Sequence, residues 1–562
     1  VKNRLTNGNP SNRKISSGNW NASTNTPIEM MRLSVWFLVL LLLVICYCAN
    51  PIAPTGGPKD VDPPKIDSAK STPNYQTNFT KQPIVLTFDE WIKLDKPNQI
   101  VLSPPMRKKP NFVQRGKYIR VEWPEEEELL DSVTYTINFG DAIKDLNEGN
   151  TLKDFRFVFA TGSVLDSARV TASITDALTL EPLENITVML YVTTSDSIVY
   201  QEPPYYFAKT NKEGTCLIEN VRPGHYKVFA LADGNQNYLF DNAGEKIGYL
   251  DSTIMVSDTQ TARVSLKMFQ ELLPYKIIRR RLNQNVVHFT FNRSPNAIQL
   301  ESAYQPSLID RQQDSLRLWL DADVPDPWLF YLIDTLGFRD TTNLYQDSTE
   351  RMELPVALAG TLSTANHPAE FPWIWSFNQP VMALDTSLLQ ITLTDSTHQP
   401  VPYVWVIDSS FTRNVNVKGD WKPDMKYEAR LLPGALTGRA GAQTDTIQLT
   451  LRTAKVEDLA NLIVEVDSLD PNKQYLAQLL TKDNVVREYR IAKKSQETIS
   501  WRQLKPAEYI LRIIADENAN GVWDPGDYLR HRHPEPVQIQ PIQDLRANWD
   551  LAVRFNWKSS GS

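Results

Sequence analysis

The chain is poor in the residues that do redox, metal or nucleophilic chemistry. Three cysteines and six histidines are spread over 562 residues. Cys46 and Cys48 lie close together near the start, which leaves Cys216 alone in the remainder. A lone thiol cannot close an internal disulfide, so a disulfide-stapled secreted scaffold is excluded. The apolar-alternating run around Cys216 predicts a small buried hydrophobe there. The sequence contains no GxSxG elbow, HExxH pair, phosphate-binding Walker loop, GxGxxG or metal-spaced cysteine pair, and it reads as a non-enzyme. It also lacks a basic block interleaved with aromatics, so nucleic acid is not an expected partner. No helical pattern longer than two or three turns is present, with Glu125–Asp131 and Lys455–Asn461 the short candidates.

One segment is unlike the rest. Arg32 precedes an unbroken apolar run from Val35 to Ile45, followed by Cys46, Cys48 and a Pro/Gly-rich stretch. The run is too short to span a bilayer as a helix, which takes about 20 residues. It has the length of a secretory-signal core, and a cysteine at the cleavage position predicts lipidation. Residues 1–29 are Asn-rich and aperiodic, and translation is expected to begin at Met30 or Met31, making them a mis-assigned or disordered extension. Without residues 1–47, 54 basic residues face 65 acidic ones, so the net charge of −7 becomes −11.

Short period-two alternations fill the remainder, such as Ile84–Phe88, Tyr118–Trp123, Val133–Phe139, Phe155–Phe159 and Leu316–Leu320. Turn residues punctuate them at intervals typical of β-sandwiches, so the chain is expected to be all-β, with tandem antiparallel β-sandwiches. Two internal repeats are visible. Leu504–Asp524 aligns without gaps on Val221–Asp241, placing Pro223 on Pro506, Tyr226 on Tyr509, Asp233 on Asp516, Asn235 on Asn518, Asn237 on Asn520 and Asp241 on Asp524. A looser repeat sets Phe88-Asp89, Tyr135 and Thr161 against Phe377-Asn378, Tyr427 and Thr453.

The stretch Cys48–Ile66 (CANPIAPTGGPKDVDPPKI), with Leu86–Ile92, Thr134–Asn150 and Phe155–Asp166, resembles the Bacteroidetes lipoproteins that carry an SbsA-type Ig-like domain. The resemblance selects Cys48 over Cys46 as the acylated residue, although Tyr47 stands where such signals favour a small residue. It implies a signal peptide at 30–47, a tether at 48–61 and an SbsA-type Ig-like domain at 62–165. The loop-bearing module at 166–270 resembles the transthyretin-like or carboxypeptidase-regulatory-like sandwiches found beside such domains, and a degenerate Ig-like domain is expected at 271–360. A second Ig-like domain at 361–455 and a second transthyretin-like sandwich at 456–556 follow, with a disordered tail at 557–562. The implied location is the outer membrane, reached through a lipid anchor, with the face open.

Asp516, Asn518, Asn520, Gly521, Asp524 and Asp527 spell D-x-N-x-N-G-x-x-D-x-x-D, a spacing that suits Ca²⁺. The first repeat offers Asp233, Asn235, Asn237 and Asp241, with Tyr238 in place of the glycine. The same residues also suit a turn whose side chains bond their own backbone, and both readings stand at this point. His531 and His533 could share a strand face, but Arg530 and Arg532 beside them favour a solvated edge. The expected function is a non-enzymatic envelope scaffold contacting other envelope proteins, as an accessory subunit of an outer-membrane assembly or secretion complex. A small-molecule substrate is not expected. The alternative is a carbohydrate-binding or glycan-processing lipoprotein, with Trp373, Trp375, Trp421 and Trp523 stacking on sugars.

Overall fold

The computed structural model describes residues 60–558, apart from 96, 98–99, 236, 243, 284–285, 296–297, 303–305, 307, 313, 321–326, 335–338, 346–354, 360–364, 395–397, 410–411 and 483. The signal segment, Cys48 and most of the C-terminal tail lie outside the described residues. Among the described residues, 60–63 and 147–150 form a small unit of their own, in which the Asn150 amide donates to the Asp60 carbonyl at 3.0 Å. All that follows concerns the other unit, residues 64–146 and 151–562.

Alternation puts every second side chain on one face of a strand, and the resulting apolar faces gather into successive cores. The first core joins Ile84, Leu86, Ile119, Val121, Ile137, Phe139, Phe157 and Phe159. Its strands form sheets in the orders Ile84–Thr87, Tyr118–Glu122, Asn111–Arg115 and Val101–Ser103, Thr134–Gly140, Phe155–Ala160. The fourth core repeats this arrangement, with Trp373–Ser376, Asn414–Gly419, Tyr403–Ile407 facing Leu389–Leu393, Lys426–Leu431, Ile447–Arg452. The third core lies between Val286–Phe291, Ser315–Trp319, Leu308–Gln312 and Gln299–Glu301, Trp328–Ile333, Arg339–Leu344, with Ile277–Asn283 added at one edge. The chain is all-β, built of tandem β-sandwiches.

The looser sequence repeat marks one hydrogen-bonded corner, built twice. The N–H of Leu130 donates to the Tyr135 hydroxyl at 2.8 Å, and the Thr161 hydroxyl donates to the Leu130 carbonyl at 2.7 Å. In the fourth sandwich Lys422 N–H donates to Tyr427 at 2.7 Å, and Thr453 donates to Lys422 at 2.6 Å. Both tyrosines are buried, and the corner satisfies polar atoms that would otherwise be costly there.

The second and fifth sandwiches share another topology, in which the first and last strands pair in parallel. Ala168–Asp176 runs beside Ala262–Gln270, and Ala460–Asp467 beside Asp550–Asn556. Tyr226 donates to the Arg222 carbonyl at 2.7 Å, and Tyr509 to the Lys505 carbonyl at 2.6 Å, so the tyrosine identity of the repeat has a structural cause. The two expected helices are not formed. Residues 125–131 are turn and irregular chain, with Glu128 3.7 Å from Lys81, and residues 455–461 hold a single 3₁₀ turn at Val456–Asp458. Charged residues at a helical period do not suffice where no apolar stripe docks them.

Candidate functional site

Each Asp/Asn loop continues directly from a central strand, Gly224–Leu231 in the second sandwich and Ala507–Asp516 in the fifth. In the second loop, Asp516 accepts the N–H groups of Asn520 and Gly521 at 3.0 and 2.8 Å. Asn518 accepts from Asn520 N–H at 3.0 Å, Asn520 accepts from Val522 N–H at 2.8 Å, and both amides donate to Asp524 at 2.5 and 2.7 Å. The first loop repeats this set. Asp233 accepts from Asn237 and Tyr238 at 3.2 and 2.8 Å, Asn237 accepts from Leu239 at 2.8 Å, and the Asn235 and Asn237 amides donate to Asp241 at 3.1 and 2.6 Å.

The residue after the second asparagine is left-handed in both loops, Gly521 at φ +79° and Tyr238 at φ +63°. Glycine takes this conformation freely. Tyr238 is held there by burial, its ring 5.0 Å from Phe207.

A carboxylate that the repeat alignment misses closes each loop. Glu535 accepts the N–H groups of Glu517 and Asp524 at 2.8 and 3.0 Å, and Glu245 accepts those of Gly234 and Asn242 at 3.1 and 3.4 Å. Both are buried. Burial raises the Glu535 carboxyl to about 7, with Asp524 and Asp516 adding to the effect, and burial likewise raises Glu245. The signal was present in the sequence: each glutamate stands just before the strand that leaves the loop, Lys246–Tyr249 or Val537–Leu545. The different length of intervening chain hides the equivalence.

Asp527 stands at the twelfth position of the spacing. It forms the base of a turn, exchanging backbone hydrogen bonds with Arg532 at 2.7 and 2.9 Å, while its carboxylate accepts the Arg530 N–H at 3.1 Å. Among the described residues no group of three or more His, Cys, Asp or Glu is arranged to hold a metal ion. A Ca²⁺ in either loop would therefore draw on the asparagine oxygens as well as the aspartates.

The chain between Asp524 and Glu535 docks on the second sandwich. Its centre is Tyr528, fully buried among Met189, Tyr191, Phe229, Tyr249 and Phe269. The Tyr528 N–H donates to Glu271 at 2.6 Å and its hydroxyl to the Asp196 carbonyl at 2.8 Å. A Cβ on Gly526 would come within 2.5 Å of the Phe269 ring and 2.6 Å of the Arg532 carbonyl, so glycine is required by close approach. His531 and His533 lie outside any strand and both stay exposed, as the solvated reading expects. Each meets a carboxylate of the second sandwich, His531 with Asp196 at 3.0 Å and His533 with Asp251 at 2.9 Å, and His533 stacks on Tyr249 at 4.4 Å. Lys227 also pairs with Asp196 and, with His531 adding to it, holds that carboxyl below its usual range.

The receiving strands show why the interlock forms. Thr187–Tyr191 is buried at every position, with Val188 and Leu190 in the second core and Met189 and Tyr191 under Tyr528. A strand apolar on both faces needs cover on both.

The tryptophans do not form a sugar platform. Trp373, Trp375 and Trp421 are buried in the fourth core, with Trp373 and Trp421 in contact at 4.1 Å. Trp523 lies half-buried between the second and fifth sandwiches, donating to the Glu535 carbonyl at 3.1 Å. Cys216 is buried, and desolvation pushes its thiol up to about 12, out of the reactive range.

The family model of the bacterial Ig-like domain matches residues 60–161. Those residues, the first sandwich, are similar to the bacterial Ig-like domain. No curated protein matches the chain. Among solved structures, the Bacillus anthracis TIE protein is similar at 10% identity and a TM-score of 0.14, over 90% of this chain and 76% of that one. The S-layer protein rSbsC(31-844) is similar at 10% identity and a TM-score of 0.14, over 84% of this chain and 67% of that one. The Bacteroides ovatus mixed-linkage glucan utilization locus protein SGBP-B is similar at 10% identity and a TM-score of 0.16, over 59% of this chain and 87% of that one.

Proposed function

We propose that this chain is a non-enzymatic, lipid-anchored scaffold of the cell envelope. In this reading Cys48 carries the lipid at the outer membrane, and the Pro/Gly-rich stretch after it is the tether. The sandwiches present a surface to other envelope proteins, as an accessory subunit of an assembly or secretion complex. The observation that carries the reading is the interlock of residues 524–535 with the second sandwich. It packs together two modules far apart in sequence, which suits a chain that holds partners at fixed spacing rather than one that turns over a substrate. The chain around Cys48 and the Ig-like match that begins just after it support the anchored location. Ca²⁺ in the two Asp/Asn loops is part of the proposal, as a stiffener of the loops beside that interlock.

The test is affinity capture from detergent-solubilised membranes, followed by identification of co-purifying proteins and mass spectrometry of the mature N-terminus. Stoichiometric envelope partners and an acylated Cys48 are the expected results. Recovery of the protein alone with an unprocessed N-terminus would overturn the reading.

A further inference from the structure

The fourth and fifth sandwiches enclose a cleft that the scaffold reading leaves without a role. Its volume is about 960 Å³, at the upper end of the range for small-molecule sites, roughly 300–1,000 Å³. One wall is Phe371, Trp373 and Ile374 of the fourth sandwich, and the other is Val486, Pro506 and Tyr509 of the fifth. The Glu370 N–H donates across the junction to Gln503 at 3.3 Å. Ile374, at the mouth of the cleft, is 53% exposed. Through Asn416 it continues across the sheet to Val406, itself 55% exposed.

The charges of the cleft are one-sided. Arg487 and Lys505 both line it, and among the described lining residues none is Asp or Glu, in a chain whose net charge is −7. Arg487 lies 5.2 Å from the Phe371 ring and donates to the Val486 carbonyl at 2.9 Å, which leaves further guanidinium N–H groups to offer. Lys505 is exposed at the rim. His367 also lines the cleft, and burial holds its ring below its usual pKa, so it adds no positive charge near neutrality. Apolar walls with two cations and no lining carboxylate are complementary to an apolar body bearing an acid group.

We propose that this cleft binds an apolar organic anion, a hydrocarbon or aromatic body whose acid group pairs with Arg487 and Lys505. A concave site of this volume fits a small molecule rather than a protein surface, which needs about 800 Å² per partner.

The test uses two dyes on the full chain, the anionic 1-anilinonaphthalene-8-sulfonate and the neutral N-phenyl-1-naphthylamine. The double variant Arg487→Gln/Lys505→Gln should weaken the anionic dye about tenfold or more and leave the neutral dye within about twofold. Ile374→Asp should weaken both, and Pro506→Asp on the opposite wall serves if the first variant fails to keep native circular dichroism. Displacement of the anionic dye by oleate assigns a chain-like body, and displacement by 2-naphthoate a ring-like one. Equal response of both dyes to the double variant, or unchanged binding in a natively folded wall variant, would overturn the proposal.

Discussion

The Tyr528 hydroxyl donates to the Asp196 carbonyl at 2.8 Å, joining positions 332 residues apart. Removing only that hydrogen bond, by Tyr528→Phe, should cost about 1 kcal/mol. Tyr528→Ala also empties a filled aromatic site between Phe229 and Tyr249 and should cost about 3–5 kcal/mol. Urea denaturation of the two variants measures the difference, and limited proteolysis should cut within 524–535 first in the alanine variant. Equal stability of both variants and wild type would show that the interlock contributes nothing.

Gly526→Ala should destabilise by about 1–3 kcal/mol through overpacking, because its Cβ meets the Phe269 ring and a backbone carbonyl. The same substitution at Gly441, with nothing within 4 Å of the added carbon, isolates the conformational cost of a left-handed glycine, since its φ is +76°. Thermal melts of the two variants separate crowding from strain.

Acid should loosen the interlock. The Asp196 carboxyl is held below its usual range by Lys227. A lowered folded-state pKa gives stability that is present above the unfolded value, about 3.9, and is lost as pH falls through the folded one. Melting temperature plotted against pH should therefore fall below about pH 4, and Asp196→Asn should flatten that limb while lowering the plateau. An unchanged acid limb in the variant would remove Asp196 from the account.

Cys216 should be inert to an aromatic disulfide reagent at pH 8 in the native protein, because burial raises its thiol to about 12. Urea should expose it and restore reaction at the rate of a free thiol. Prompt labelling of Cys216 without denaturant would contradict the burial seen here.

If Ca²⁺ occupies the Asp/Asn loops, excess Ca²⁺ should raise the melting temperature and a chelator should lower it. Asp516→Ala should abolish the second loop's share of that response, since Asp516 anchors that loop through Asn520 and Gly521, and adding Asp233→Ala should remove the rest. No shift in either direction would reduce the loops to self-bonded turns.

Much of the architecture was legible because alternation reports which face of a strand is buried, and most of these strands are buried on one face only. The repeats were legible because Tyr226, Tyr509, Tyr135 and Tyr427 each bond a backbone group four or five residues away, a local requirement that fixes the residue in both copies. The interlock was not legible, since the partners of Tyr528 and His531 lie hundreds of residues away and no local pattern names them. Its trace was the unbroken apolar run Val188–Tyr191 within the strand Thr187–Tyr191, a strand needing a second cover. Trp373, Trp375 and Trp421, named as sugar-stacking candidates only in the alternative reading, lie in the core, and an aromatic on an alternating strand looks alike whether its face is the core or the outside. Residue type alone does not say which.

The parallel pairing of first and last strands in the second sandwich bears on how it carries a load. Val170 lies opposite Ala262, and the register runs in step to Asp176 opposite Met268. A pull applied where the chain enters, at Ala168, and where it leaves, at Gln270, slides these two strands lengthwise instead of peeling them apart. The bonds between them are then strained together and yield together, so the module resists extension as a clasp does and transmits force to its neighbours before it opens.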